Sequence, residues 1–171
     1  MKLCYLLACL LFTSVSCQSD TADNPSAQAT PTTVFLVRHA EKEDGEDPEL
    51  TDAGRQRATR LASLLADSTV TAIYSTDTRR TRATAQPTAE QSSIELQVYD
   101  PNQLSELAGR IREHQPGGTV LIVGHSNTTP ALANELTGTS QLQQFSEDDY
   151  GNLLVVTLPE NGSPRLEERR Y

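Results

Sequence analysis

Two stretches of this chain end alike. Val34-Phe35-Leu36-Val37-Arg38-His39 and Val120-Leu121-Ile122-Val123-Gly124-His125 each run four apolar residues, one further residue and a histidine. Two of the chain's three histidines therefore stand where an apolar strand runs out. A third stretch, Ser75-Thr76-Asp77-Thr78-Arg79-Arg80-Thr81-Arg82, places several arginines and a helix start after another strand. Imidazoles and guanidinium groups brought together suit a tetrahedral dianion. Arginine offers a planar fork of donors that matches phosphate oxygens bidentately and stays charged. Neutral imidazole is a competent nucleophile toward phosphorus, and a backbone carbonyl can hold its other nitrogen in one tautomer. The pattern points to phosphoryl chemistry, in which arginines hold the group that a histidine attacks.

A metal site is the competing reading of two histidines. Arg38 beside His39, and the arginines of 79–82, oppose a divalent cation. No His-Glu-x-x-His or Cys-x-x-Cys spacing occurs, so neither a metal nor another cofactor is expected. His114, in Arg112-Glu113-His114-Gln115-Pro116-Gly117-Gly118, has no such context and is read as structural.

The elements that must position these groups alternate. Strands are expected at 33–38, 71–75, 94–99, 119–124 and 152–158, and helices near 51–66, 78–90, 102–114 and 128–136. Such alternation requires crossover connections, hence an α/β three-layer sandwich with a mostly parallel central sheet and helices on both faces. The unbroken apolar runs VFLV and VLIV fit central strands buried on both sides. Thr51 is the expected N-cap of the first helix, with Leu61, Leu64 and Leu65 on its inner side. Thr76 or Asp77 is the expected cap of the second, which Pro87 should kink or end near Gln86. In open α/β sheets ligands bind at the carboxyl ends of the strands, where both histidines are expected.

The chain has 171 residues, 36% hydrophobic and 22% charged, with a formal net charge of −9 and a pI near 4.7. That length supports one domain, and the acidity disfavours nucleic acid and electrostatic docking on membranes. The three cysteines, Cys4, Cys9 and Cys17, all precede residue 18, so the remaining chain has neither a disulfide nor a thiol nucleophile. Lys2 followed by the apolar run Leu3–Val15 has the anatomy of a signal peptide over 1–16 and is too short to span a bilayer. It also resembles a bacterial lipoprotein signal with Cys17 as the lipidated residue, although Ser14 stands where that signal usually has Leu. Residues 17–32 read as a tether without core-forming side chains, and 33–171 as the working domain. The expected location is the bacterial cell envelope, with the membrane met only through the lipid anchor.

At this point the chain resembles the histidine phosphatase superfamily. The family's Arg-His-Gly/Ala after the first strand stands here as Arg38-His39-Ala40. Its Leu-Thr-x-x-Gly-x-x-x-Ala helix start is Leu50-Thr51-Asp52-Ala53-Gly54-Arg55-Gln56-Arg57-Ala58. Its arginine segment is Thr76–Ala85, which selects Arg80, and its Val-Gly-His is Val123-Gly124-His125. The resemblance implies a phosphoglycerate mutase-like fold and a phosphorylated nucleophile at His39. It also implies that Arg38, Arg80 and His125 hold the phosphoryl group; Ser126 is a further candidate phosphate ligand. The proton donor does not carry over: Ser126-Asn127 follows the second histidine where many members have Asp, leaving Asp100 and Glu41 or Glu43 as candidates.

The acidic stretch Glu41–Glu49 fails as an EF-hand, because Gly45 falls at the wrong step. Leaving from the nucleophile's strand end, it is expected to fringe the site with Glu147-Asp148-Asp149 and to disfavour heavily anionic substrates; neutralising Glu43, Asp44 and Glu46 would test this. The expected function is a metal-independent phosphatase acting on a small phosphorylated substrate or a phosphohistidine protein. A phosphoglycerate-type mutase and a non-catalytic phospho-ligand binding module are the alternatives.

Overall fold

A computed structural model of the protein describes residues 30–171. The expected signal peptide, Cys17 and most of the tether lie outside the described residues. Six strands and four helices follow in the order β1 (Thr32–Arg38), α1 (Asp52–Leu64), β2 (Val70–Ser75), α2 (Arg79–Ser92), β3 (Leu96–Val98), α3 (Leu104–His114), β4 (Thr119–Gly124), α4 (Thr128–Thr137), β5 (Asn152–Leu158) and β6 (Arg165–Arg170). The sheet runs β3-β2-β4-β1-β5-β6. β1, β4, β2 and β3 pair in parallel, whereas β5 runs antiparallel to both β1 and β6. This is the expected mostly parallel α/β sandwich.

Both faces of the sheet are apolar, which explains the unbroken hydrophobic runs. Val34, Leu36, Val120, Ile122, Leu154 and Val156 pack with Leu107, Ile111, Leu132 and Leu136 of α3 and α4. The alternate residues Phe35, Val37, Leu121, Val123, Leu153 and Val155 pack with Leu61 of α1, Leu65 at its end, and Ala85 and Ala89 of α2. Period-two alternation thus serves two helical layers at once. Each fully buried aliphatic side chain contributes about 1.5–3 kcal/mol.

α1 begins as expected: the Thr51 hydroxyl accepts from the Gly54 backbone N–H at 3.1 Å. Leu64, however, is 46% exposed, so the inner face is carried by Leu61 and Leu65. Of the two outcomes expected of Pro87, an end of the helix near Gln86 does not occur. Pro87 lies inside α2, which runs on to Ser92; one backbone hydrogen bond is forgone, and packing of α2 on α1 and β2 holds the rest. The third strand is only three residues, shorter than expected, because at the sheet's edge it has β2 alone as partner. β6 was not expected. Its sequence RLEERR has no apolar alternation, and only Leu166 reaches the core.

Candidate active site

β1 and β4 lie side by side in parallel register, with Arg38 opposite Gly124. The chain leaving β1 turns toward the layer of α1 and α2, and the chain leaving β4 toward that of α3 and α4. Connections diverging from neighbouring strands open a crevice at their carboxyl ends. One step past the last pair stand His39 and His125, where the His39 N–H donates to the Gly124 carbonyl at 2.9 Å. Their rings meet edge-on, with centroids 5.6 Å apart.

His39 is 3% exposed, and its Nδ1 lies 2.8 Å from the Ala40 carbonyl oxygen. A carbonyl only accepts, so this hydrogen bond assigns the proton to Nδ1 and leaves Nε2 with its lone pair. The Ala40 N–H in turn donates to Thr84 Oγ1 at 2.9 Å, fixing the turn after His39 against α2. Burial pushes the His39 pKa down to about 3; Arg38, Arg80 and His125 push the same way and the Ala40 carbonyl opposes them. His125 is lowered to about 4, first by burial and then by Arg80 and Arg38, against the pull of Glu147. Both imidazoles are therefore neutral at neutral pH, the form that can attack phosphorus. Nε2 of His125 shares a hydrogen bond with Thr76 Oγ1 at 2.9 Å, which links on to Thr81 Oγ1 at 3.0 Å. Thr76 is thus a partner of the second histidine, and the N-cap position of α2 falls to Thr78, whose side chain makes no capping bond.

Arg38 is only 1% exposed. Its Nη1 donates to the carbonyls of Ser146 (3.0 Å) and Glu147 (2.7 Å), and its Nη2 to Glu147 Oε2 (2.8 Å). Tyr150 stacks beneath it, 4.3 Å from ring centroid to guanidinium carbon, and lies 5.9 Å between centroids from His39. Arg80 is mostly buried and faces Asp47 at 3.5 Å. On both arginines Nε is buried and has no hydrogen-bond partner. Two guanidinium groups with unspent inward donors beside two neutral imidazoles form a receptor for an anion.

The remaining candidates divide. Ser126 sits at the crevice and donates to Glu147 Oε1 at 2.6 Å. Arg79, beside the selected Arg80, points outward and pairs with Glu49. Glu41 is clamped by Arg57 through three hydrogen bonds of 2.7–3.0 Å, which hold its carboxyl below the usual range. Asp100 accepts from Asn102 and Gln103 of its own loop beyond the edge strand β3. Neither carboxylate turns to the histidines. Glu43 is exposed, and His114 is a surface residue beside Glu113. Of the expected acidic fringe, Asp47 and Glu147 meet the two arginines, whereas Asp149 pairs with Arg170. Tyr150 carried no signal in the sequence. It reaches the site because β5 is antiparallel, so the residues preceding β5 lie at the carboxyl ends of β1 and β4. A cavity of about 710 Å³ opens elsewhere, lined by Thr32, Arg112, Leu158 and Pro164, and holds none of these groups.

Comparison with known proteins bears on the fold and on residues 34–108. The sandwich has the phosphoglycerate mutase-like architecture of several solved structures. A mycobacterial glucosyl-3-phosphoglycerate phosphatase is 15% identical, with 82% of this chain and 98% of that one covered and a TM-score of 0.66. The protein histidine phosphatase SixA complexed with tungstate is 19% identical, with 81% and 96% covered and a TM-score of 0.65. Phosphoglycerate mutase from Plasmodium falciparum is 19% identical, with 82% and 91% covered and a TM-score of 0.60. Residues 34–108, which include Arg38, His39 and Arg80, match the histidine phosphatase superfamily (branch 1). No curated protein matches the sequence.

Proposed function

We propose that the chain is a member of the histidine phosphatase superfamily that hydrolyses phosphomonoesters or phosphohistidine through a phosphohistidine on His39. The observation that carries this reading is neutral His39, whose Ala40 bond leaves Nε2 with its lone pair, beside Arg38 and Arg80, each with a buried and unpartnered Nε–H. Arg38, Arg80 and His125 bind the phosphoryl oxygens, with Ser126 beside them, and their donors strengthen as charge shifts onto those oxygens. His39 Nε2 attacks phosphorus in line, and water then attacks the phosphohistidine. The charge that stabilises the transfer comes from the arginines, so no metal is required.

The test is hydrolysis of an aryl phosphate by the purified protein in EDTA, with His39→Ala and Arg80→Ala alongside. Activity should persist in EDTA and vanish in His39→Ala; loss in EDTA, or survival of His39→Ala, overturns the mechanism. A parallel screen of phosphoesters against phosphohistidine peptides identifies the substrate class.

The sequence further supports export and anchoring in the bacterial envelope, with residues 1–16 as signal, Cys17 lipidated and 17–32 as tether. Treated as a flexible coil, that tether reaches roughly 20 Å. Cys17→Ala should abolish incorporation of labelled fatty acid in a bacterial host; unchanged labelling would refute the anchor.

A further inference from the structure

The loop between α4 and β5 brings a carboxylate to the mouth of the site. Phe145 N–H donates to the Ser126 carbonyl at 2.9 Å and fixes the loop over the end of β4. Glu147 then spans the crevice, Oε1 accepting from Ser126 Oγ at 2.6 Å and Oε2 from Arg38 Nη2 at 2.8 Å. Its side chain is 66% exposed although the arginine it meets is 1% exposed, so the carboxylate approaches Arg38 from solvent. In-line transfer places the leaving atom opposite the attacking Nε2. Since His39 is buried, the leaving atom must face the mouth, the side from which Glu147 reaches. Glu41 and Asp100, engaged by Arg57 and by the β3–α3 loop, do not reach it.

We propose that Glu147 is the proton donor to the leaving oxygen, held on Arg38 in the resting protein and displaced from it when a phosphoryl group binds. This rests on the histidine phosphatase reading above. The groups that face Glu147 are Arg38 and His39 from the end of β1, His125 and Ser126 from the end of β4, and Gln144 from its own loop. At rest the Ser126 hydroxyl and the Arg38 guanidinium hold its carboxyl below the usual range. A bound phosphoryl dianion takes over Arg38 and adds negative charge beside the released carboxylate; both changes favour its protonated form. In the first step the Nε2–P bond forms as the P–O bond breaks, and the Glu147 proton passes to the leaving oxygen. In the second, water attacks phosphorus, its proton returns to Glu147, and the P–N bond breaks. Ester and water give alcohol and phosphate, and the carboxyl is restored.

The test compares an alkyl phosphate, whose leaving oxygen needs a proton, with 4-nitrophenyl phosphate, whose leaving group departs readily as an anion. General acid catalysis contributes on the order of a hundredfold or more, so in Glu147→Gln the ratio of kcat/KM on the aryl over the alkyl ester should rise about a hundredfold. Because kcat/KM covers only the steps through phosphoryl transfer to His39, and both substrates meet one preparation, the ratio is independent of the folded fraction. A ratio within threefold of the wild-type value overturns the proposal and leaves Glu147 a positioning residue for Arg38. Should the variant hydrolyse neither ester, calorimetry of tungstate binding in buffers of different ionisation enthalpy decides. The wild type should take up about one proton more than Glu147→Gln; equal uptake overturns the proposal. Wild-type protein inactive on both esters and on phosphohistidine peptides, or activity surviving His39→Ala, refutes the phosphatase reading instead.

Discussion

Asp47 and Arg80 face each other at 3.5 Å, and the same Asp47 oxygen accepts the backbone N–H of Arg79 at 3.0 Å. A carboxylate from the β1–α1 loop therefore caps α2, the helix that carries the second arginine, and also occupies that arginine. Asp47 holds φ at 44°, a left-handed conformation that Asn also adopts readily. Asp47→Asn should keep the cap and remove the competing charge. A partly exposed ion pair is worth up to about 1 kcal/mol, so KM for an aryl phosphate should fall by up to about fivefold with kcat little changed. Asp47→Ala should in addition lower stability by about 0.5–2 kcal/mol through loss of the cap. Steady-state kinetics and urea titration check the pair.

On the proposed function, removing Arg80 acts on the transferring group itself. Arg80→Ala should lower kcat by about 100- to 1,000-fold, as loss of one preorganised donor does. Arg80→Lys should recover little, since an ammonium cannot supply the fork of donors. Arg79→Ala, whose side chain points outward to Glu49, should stay within about threefold of wild type on the same aryl phosphate. Equal losses at 79 and 80 would reject the assignment of Arg80.

Gly54 is required by close approach. A Cβ there would stand 2.1 Å from the Glu41 carbonyl oxygen, in the turn that leaves His39. The glycine of the Leu-Thr-x-x-Gly segment thus lets α1 press on the chain two residues beyond His39, where the Thr51 N–H also donates to Glu41 O at 3.0 Å. Gly54→Ala should cost about 1–3 kcal/mol or more, as overpacking against backbone does. The denaturation midpoint should fall and, because the displaced turn carries His39, kcat should fall with it.

Stability should depend on pH through the two imidazoles. Their folded pKa values, about 3 for His39 and about 4 for His125, lie below the unfolded value of 6.5. Between these limits the unfolded chain binds more protons, so stability drops as pH falls below 6.5. From pH 7 to pH 5 each imidazole should withdraw about 2 kcal/mol. Urea midpoints at the two pH values measure the loss, and His39→Asn should remove about half of it. An undiminished loss in that variant would contradict the assignment.

The sequence disclosed those parts of the site that are local in the chain. His39 and His125 each follow an apolar strand, so Arg38, His39 and His125 could be placed at strand ends; the helix start after β2 placed several arginines at the same rim, and only the family resemblance singled out Arg80 among them. Groups delivered by tertiary topology could not be placed as closely. Tyr150 reaches His39 because β5 runs antiparallel, a direction that the pattern NLLVVTL does not encode. Asp47 replaces the local cap expected at Thr76 or Asp77, because a loop from another element folds onto α2 and Thr76 is taken by His125. Pro87 does not end α2, which packing on α1 and β2 holds, and β6 stayed hidden because a strand held at the sheet's margin by one neighbour needs little apolar pattern.

β6 and β3 close the sheet at its two sides. On β6, Arg165, Glu167, Glu168, Arg169 and Arg170 are exposed, and Arg169 pairs with Glu167 along the strand at 2.7 Å. An incoming strand would have to strip water from this charged row to pair with it, and β3 offers only three residues of unpaired backbone. Both margins are poor templates for strand addition, so copies of the protein at high concentration should resist joining edge to edge into aggregates.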